Sequence, residues 1–132
     1  MSIFKDRQMM EEIFGKIWNR LIFETELGRK LKDNDISVLY RTTEPDMAMY
    51  IDENGAVFGH EAEAKTADIT ESMTSDNIHK FLLKKIDMPQ ALAQDQIKAK
   101  GSATKMLLFL PLLEFVQEVY PEYCRQFNLP MD

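Results

Sequence analysis

The sequence is poor in the groups that usually announce chemistry. It has one cysteine and two histidines in 132 residues. A lone Cys124 excludes an intramolecular disulfide and any zinc site built from cysteines. It reads as a small, semi-buried apolar residue. Positive charge is also short: 16 Lys and Arg against 22 Asp and Glu give a formal net charge of −6 and a pI near 5.0. A generic nucleic-acid surface needs the opposite sign to displace counterions, so nucleic acid is not an expected partner. Docking on anionic lipid gains little from such a balance.

A long hydrophobic run is missing too. The C-terminal stretch from Met106 to Val116 is strongly apolar but holds Pro111 and Glu114. It reaches about half of the roughly 20 residues that a spanning helix needs. Stable membrane insertion is therefore not expected. The N-terminal "MSIFKDRQMMEEIF" has charges every few residues and no apolar core of a signal peptide. "NLPMD" carries no lipidation or organelle address. The expectation is one domain over residues 1–132 in a reducing, cytoplasmic setting.

Catalytic signatures are absent. No nucleophile elbow or Walker-type loop occurs. His60 in "GHEAE" has Glu61 and Glu63 nearby, yet this is not a zinc-hydrolase helix. Read as the end of a strand, the segment points its neighbours to opposite faces. His79 beside Lys80 is expected on the polar, solvated flank of a helix. "GSATK" lacks the spacing of a phosphate loop, so Ser102 reads as a helix cap; free N–H groups there offer a weaker site for an anionic head group. No metal, cofactor or catalytic residue is implied.

What the sequence has is pattern. From Phe4 to about Leu31 the period is helical, with Met9, Ile13, Ile17, Leu21 and Leu27 on one stripe, widened by Met10, Phe14 and Trp18. Gly28 suits the helix stop. The period then becomes two: Ile36, Val38 and Tyr40, then Met47, Met49 and Ile51. "DENG" predicts a hairpin turn, because Asn-Gly readily takes positive φ. "AVFGH" is the return strand. "ADITESM" is a fourth strand, with Ala67, Ile69 and Met73 on one face. Thr74 or Ser75 caps a helix carrying Ile78, Phe81, Leu82 and Ile86. Pro89 opens a short helix. "IKAKG" is a fifth strand whose lysines suit an edge.

The last helix starts after Gly101 and Ser102, and Pro111 predicts a kink or restart. Continued through Pro111, the period sets Leu108, Leu112, Phe115, Val116 and Val119 on one face. Met106, Leu107 and Leu110 then fall on the Glu114 side, so the first half is apolar nearly all round. That surplus needs a second cover: another helix, a partner chain or an apolar ligand. Nine methionines, several on predicted inner faces, suit an adaptable pocket, although a Met stripe at such spacing is more often core than ligand site.

The pieces "ADITESMTSDNIHKFLLKK", "KKIDMPQALAQ", "IKAKGS" and "ATKMLLFLPLLEFV" follow one another in an order that resembles the sterol-carrier-protein-2 family of lipid-binding domains. There a strand ending in acid and hydroxyl residues leads into a helix. A "G-K-L-D-P" type turn, a short helix, a "K-I-K-G-D" type strand and an apolar helix follow. The N-terminal helix and the "DENG" hairpin fit the same plan. Two departures touch the start of the last helix, not the fold. Ser102 stands for a frequent acid, and Ala103, Thr104 and Lys105 replace a second glycine.

The resemblance implies an α+β fold: a five-stranded, mostly antiparallel sheet covered by helices on one face, with an apolar tunnel between the layers. It also implies non-catalytic binding or carriage of fatty acids, acyl chains or sterol-like lipids. The expected cavity lining is Ile17, Trp18, Leu21, Met49, Phe81, Leu82, Met106, Leu107, Leu110 and Leu113. The alternative is an accessory protein that docks through its spare apolar face on an enzyme of lipid or quinone metabolism, or on a second copy as a homodimer.

Overall fold

The structure, a computed structural model, describes residues 3–132. Helix α1 (Arg7–Glu24) begins where the Asp6 carboxylate accepts the Met9 N–H at 2.8 Å. Met10, Ile13, Phe14, Ile17, Trp18 and Leu21 recur every three or four residues and are all buried. The stop comes earlier than Gly28. Thr25 turns extended and its hydroxyl donates to the Leu21 carbonyl, and α2 (Leu27–Asp33) restarts after it. Gly28 serves close packing instead: a Cβ there would lie 2.2 Å from the Ile22 carbonyl oxygen.

Strands β1 (Val38–Thr43), β2 (Met47–Asp52) and β3 (Gly55–Phe58) follow as a meander. The "DENG" turn forms as expected, with Asp52 Oδ1 accepting the Asn54 N–H at 2.8 Å. Its positive φ, 114°, falls on Gly55 and not on Asn54. Asn19 of α1 accepts the Ala56 N–H at 2.9 Å, which pins the hairpin to the helix.

The rest of "AVFGH" is not strand. Gly59 takes φ 65° and opens a short helix, α3 (Gly59–Glu63), so His60 lies on a helix. The chain then crosses to β4 (Ile69–Thr74), which pairs in parallel with β1. Ala67 precedes that strand and packs on the opposite face from Ile69, not beside it.

Thr74 caps α4 (Ser75–Leu82), and Asp87 caps α5 (Met88–Ala93) with Pro89 in its first turn. Strand β5 (Ile97–Gly101) is the edge, as its lysines suggest. Sheet order is β3-β2-β1-β4-β5, antiparallel except for β1 with β4. The chain thus has the expected α+β class and mostly antiparallel five-stranded sheet. Most helices lie on one face. The other face carries α3, with Ala62 packed near Leu39 and Tyr50.

The C-terminal apolar run restarts at Pro111. Helix α6 (Ala103–Phe109), capped by Ser102, gives way to a 3₁₀ turn (Leu110–Leu112) and then α7 (Leu113–Gln126). The tighter turn changes the rotation per residue, so an α-helical period carried through it assigns the wrong face. Leu108, expected on the packing face, is 42% exposed, and Phe109 is buried in its place. Burial of a Phe side chain of this kind stabilises by roughly 2–3 kcal/mol.

His79 is not solvated. It is 3% exposed, closed over by Phe4, Tyr120 and the C-terminal tail. The Pro130 carbonyl can only accept, so Nε2 carries the proton and donates to it at 2.7 Å. Nδ1 then accepts the Tyr120 hydroxyl, also at 2.7 Å. Burial, first of all, holds the His79 pKa below its ordinary value and keeps the ring neutral.

Candidate functional site

The strand register builds one row of side chains across the helix-covered face. Phe58 of β3 pairs with Met49 of β2, which pairs with Tyr40 of β1, then Glu71 of β4 and Ala99 of β5. Gly15 lets α1 come down onto this row, since a Cβ there would already sit 3.3 Å from the Phe58 ring. Trp18, one turn on, lies with its ring centroid 6.2 Å from that of Tyr40 and stacks at 6.4 Å on Phe109 of α6.

Over Tyr40 and Glu71 the layers do not quite close. A cavity of about 10 Å³ remains between the sheet, α1, α4, α5 and the start of α7. That is room for about one water and no more. Its apolar wall is made by Ile78, Phe81 and Leu82 of α4, Met88 of α5 and Leu113 of α7. Met73 and Ile97 complete it from β4 and β5.

Trp18, Phe81, Leu82 and Leu113 of the expected lining therefore meet at this cavity. Ile17, Leu21 and Met49 are buried in the same core without bordering the void. Met106 and Leu110 pack half-buried against the core. Leu107 points outward and is 71% exposed. The period sets Leu107 on the Glu114 side, and that side is left open to solvent, while Phe109 takes the inward position of α6.

The residue that pattern reading passed over is Glu71. The alternation that sends Ile69 and Met73 inward sends Glu71 inward as well, and it is only 4% exposed. The signal was present in "ITESM" as an acid in an apolar slot. Among the described residues no Lys, Arg or His pairs with it within 4.0 Å. Its partner is the Tyr40 phenol, which donates to the carboxyl. Burial pushes the Glu71 carboxyl up to about 7, against the smaller, opposing effect of that hydrogen bond. Burial, with the neighbouring carboxyl, raises the Tyr40 phenol well above its usual range.

A larger concavity, about 640 Å³, is an open groove on the surface bordered by Arg7, Glu11, Arg41, Asp46, His60 and Glu63. Its charges are of both signs, and Glu63 is held by Arg41 in an ion pair. Among the described residues no three His, Cys, Asp or Glu side chains are grouped to hold a metal ion. Nor is any described helix long and apolar enough to cross a membrane. The apolar cavity differs from this groove in offering a desolvated wall with a few placed polar groups.

No family model and no curated protein sequence matches the chain. Solved structures do match. Sterol carrier protein 2 from Yarrowia lipolytica in its apo form has a TM-score of 0.64 at 15% identity, covering 89% of this chain and 98% of that one. The sterol carrier protein domain 2 of Helicoverpa armigera has a TM-score of 0.66 at 14% identity, covering 86% and 91%. The chain has the sterol-carrier-protein-2 fold. Another example of this fold, sterol carrier protein 2 from Aedes aegypti in complex with palmitate, has a TM-score of 0.54 at 18% identity, covering 80% of this chain and 94% of that one.

Proposed function

We propose that the protein is a non-catalytic lipid-binding or carrier protein, acting in the cytoplasm, that takes an acyl chain or similar apolar ligand between its sheet and its helices. The observation that carries this reading is the enclosed apolar cavity beneath α4 and α5, in a fold shared with a protein solved with palmitate. The cavity is closed, so binding requires the helices to move outward from the row of Tyr40 and Glu71. Two short helices of 8 and 6 residues form that cover, and Met73 and Met88 can refill or vacate space by changing rotamer. Each methylene buried gains about 0.8 kcal/mol, so a long chain can offset the cost of opening.

Trp18 is the only tryptophan and stands in the cavity wall, so it reports on occupancy. Delipidated protein should bind a fluorescent fatty acid saturably at about one per chain, compete with unlabelled lipid, and change its Trp18 emission on loading. Absence of saturable binding, with no lipid adduct in native mass spectrometry, would falsify the reading. An empty-cored dimer in that spectrum would favour an accessory role instead, which the exposure of Leu107 and Leu108 on α6 would serve.

A further inference from the structure

Glu71 is costly to the fold. A carboxyl on the inner face of a strand second from the sheet edge loses its water, finds no cation, and stands where an apolar side chain would pack. Replacing such a group by a hydrophobe of similar size is often neutral or stabilising. Its position, though, suits a ligand. Glu71, Tyr40 and Trp18 are the three residues of the cavity wall with hydrogen-bonding side chains beyond a thioether, and the other seven are apolar. Beside Glu71 on β5 stands Ala99, which carries only a methyl group. The Tyr40 hydroxyl occupies one acceptor site of the carboxyl. A protonated carboxyl then still presents an O–H donor and further acceptor capacity.

We propose that Glu71, held by Tyr40, is an internal polar anchor for the uncharged hydrogen-bonding end of an apolar ligand, a hydroxyl or a carbonyl, and that it disfavours an ionised carboxylate. A hydroxyl can both donate to and accept from the carboxyl. A carbonyl can accept its proton. A carboxylate would need a cation, and among the described residues no Lys, Arg or His borders the cavity. This inference rests on the lipid-binding reading above and specifies which lipids it admits.

The test is a series of one chain length: hexadecanol, hexadecanal, palmitate, hexadecylamine and hexadecane, each competed against a fluorescent probe on delipidated full-length protein. The alcohol and aldehyde should bind roughly tenfold or more tighter than palmitate, the size of one well-placed buried hydrogen bond. Glu71→Met should erase that preference while keeping hexadecane binding. Glu71→Gln, which retains a donor and an acceptor in the same shape, should keep it and guards against a misfolded Met variant. Palmitate binding as well as the alcohol, or an unchanged preference in Glu71→Met, overturns the anchor but leaves the carrier reading standing. Hexadecylamine binding tightest would assign the site to cations and overturn it too. If no member of the series and no probe binds, the carrier reading falls and the anchor with it.

Discussion

Two of the protein's buried phenols, Tyr120 and Tyr40, each face a buried ionisable partner, and the pairs differ in what surrounds them. Tyr120 and His79 close on each other at 2.7 Å, and the other His79 nitrogen is taken by the Pro130 carbonyl. Every strong hydrogen-bonding site of that imidazole is used, and the residues joined are 41 and 51 positions apart. Tyr40 and Glu71 sit side by side on adjacent strands and need no such link, because the ladder already holds them. Their carboxyl keeps spare capacity and borders a void. A saturated pair knits α4 to α7 and the tail; an unsaturated pair beside a cavity is what a binding site requires. Burial alone does not separate a structural polar group from a functional one. The count of unused hydrogen-bonding sites does.

The sharpest way to break this comparison is His79→Ala. It removes two buried hydrogen bonds, leaves the Tyr120 hydroxyl and the Pro130 carbonyl without this partner, and opens a hole beside Phe4. The expected loss is about 3–4 kcal/mol in urea denaturation. Ligand preference among refolded molecules should not move. A variant as stable as the parent would show that the pair holds nothing together.

Much of the scaffold was legible because its signals are local. Thr74 and Ser102 cap helices whose first turns follow them directly, and "DENG" closes its own hairpin. The lysines of "IKAKG" mark an edge by their charge alone, and Pro111 restarts a helix through its own missing N–H. What escaped depends on distance or on one skipped position. The cover over His79 comes from Phe4, Tyr120 and Pro130, far along the chain, while Ser75, Asp76 and Lys80 near it on the helix are polar. Leu108 was misplaced because the 3₁₀ turn resets the phase, and Leu107 because the side it shares with Glu114 stays uncovered. Half of the cavity wall lies on α4, α5 and α7, where apolar periodicity shows a core face but not where the core is incomplete. Glu71 was readable from period two alone, in the slot between Ile69 and Met73.

The second pair predicts a pH slope of its own. The Glu71 carboxyl sits near 7 in the folded chain against 4.5 as its ordinary value. Between those values the folded state binds more protons than the unfolded one, so stability falls as pH rises, by about 3 kcal/mol in all, and is fully retained below pH 4.5. His79 acts with the opposite sign: its folded pKa is depressed, so stability falls as pH drops below 6.5, its ordinary value. Urea midpoints of the parent and of Glu71→Gln from pH 5 to 8 separate the two. The difference between them isolates Glu71, and the variant should gain on the parent steadily as pH rises. Parallel curves would mean that the carboxyl is ionised and solvated in the folded chain.

The smallest effect tests the link inside the cavity pair. Tyr40→Phe deletes one hydrogen bond between neighbours that the sheet already positions, and its cost near pH 5 should be only about 1 kcal/mol. The informative change is in the slope. The phenol favours the ionised carboxyl, so its removal raises the Glu71 pKa further and carries the stability loss to higher pH. Tyr120→Phe has no such route to Glu71, because its hydroxyl is bonded to His79 on α4. The two Tyr→Phe variants thus remove the same atom from two buried phenols and should part company in the pH profile. If Tyr40→Phe leaves the Glu71 part of the profile unmoved, Tyr40 does not set the proton affinity of Glu71 and the carboxyl stands in the cavity unassisted.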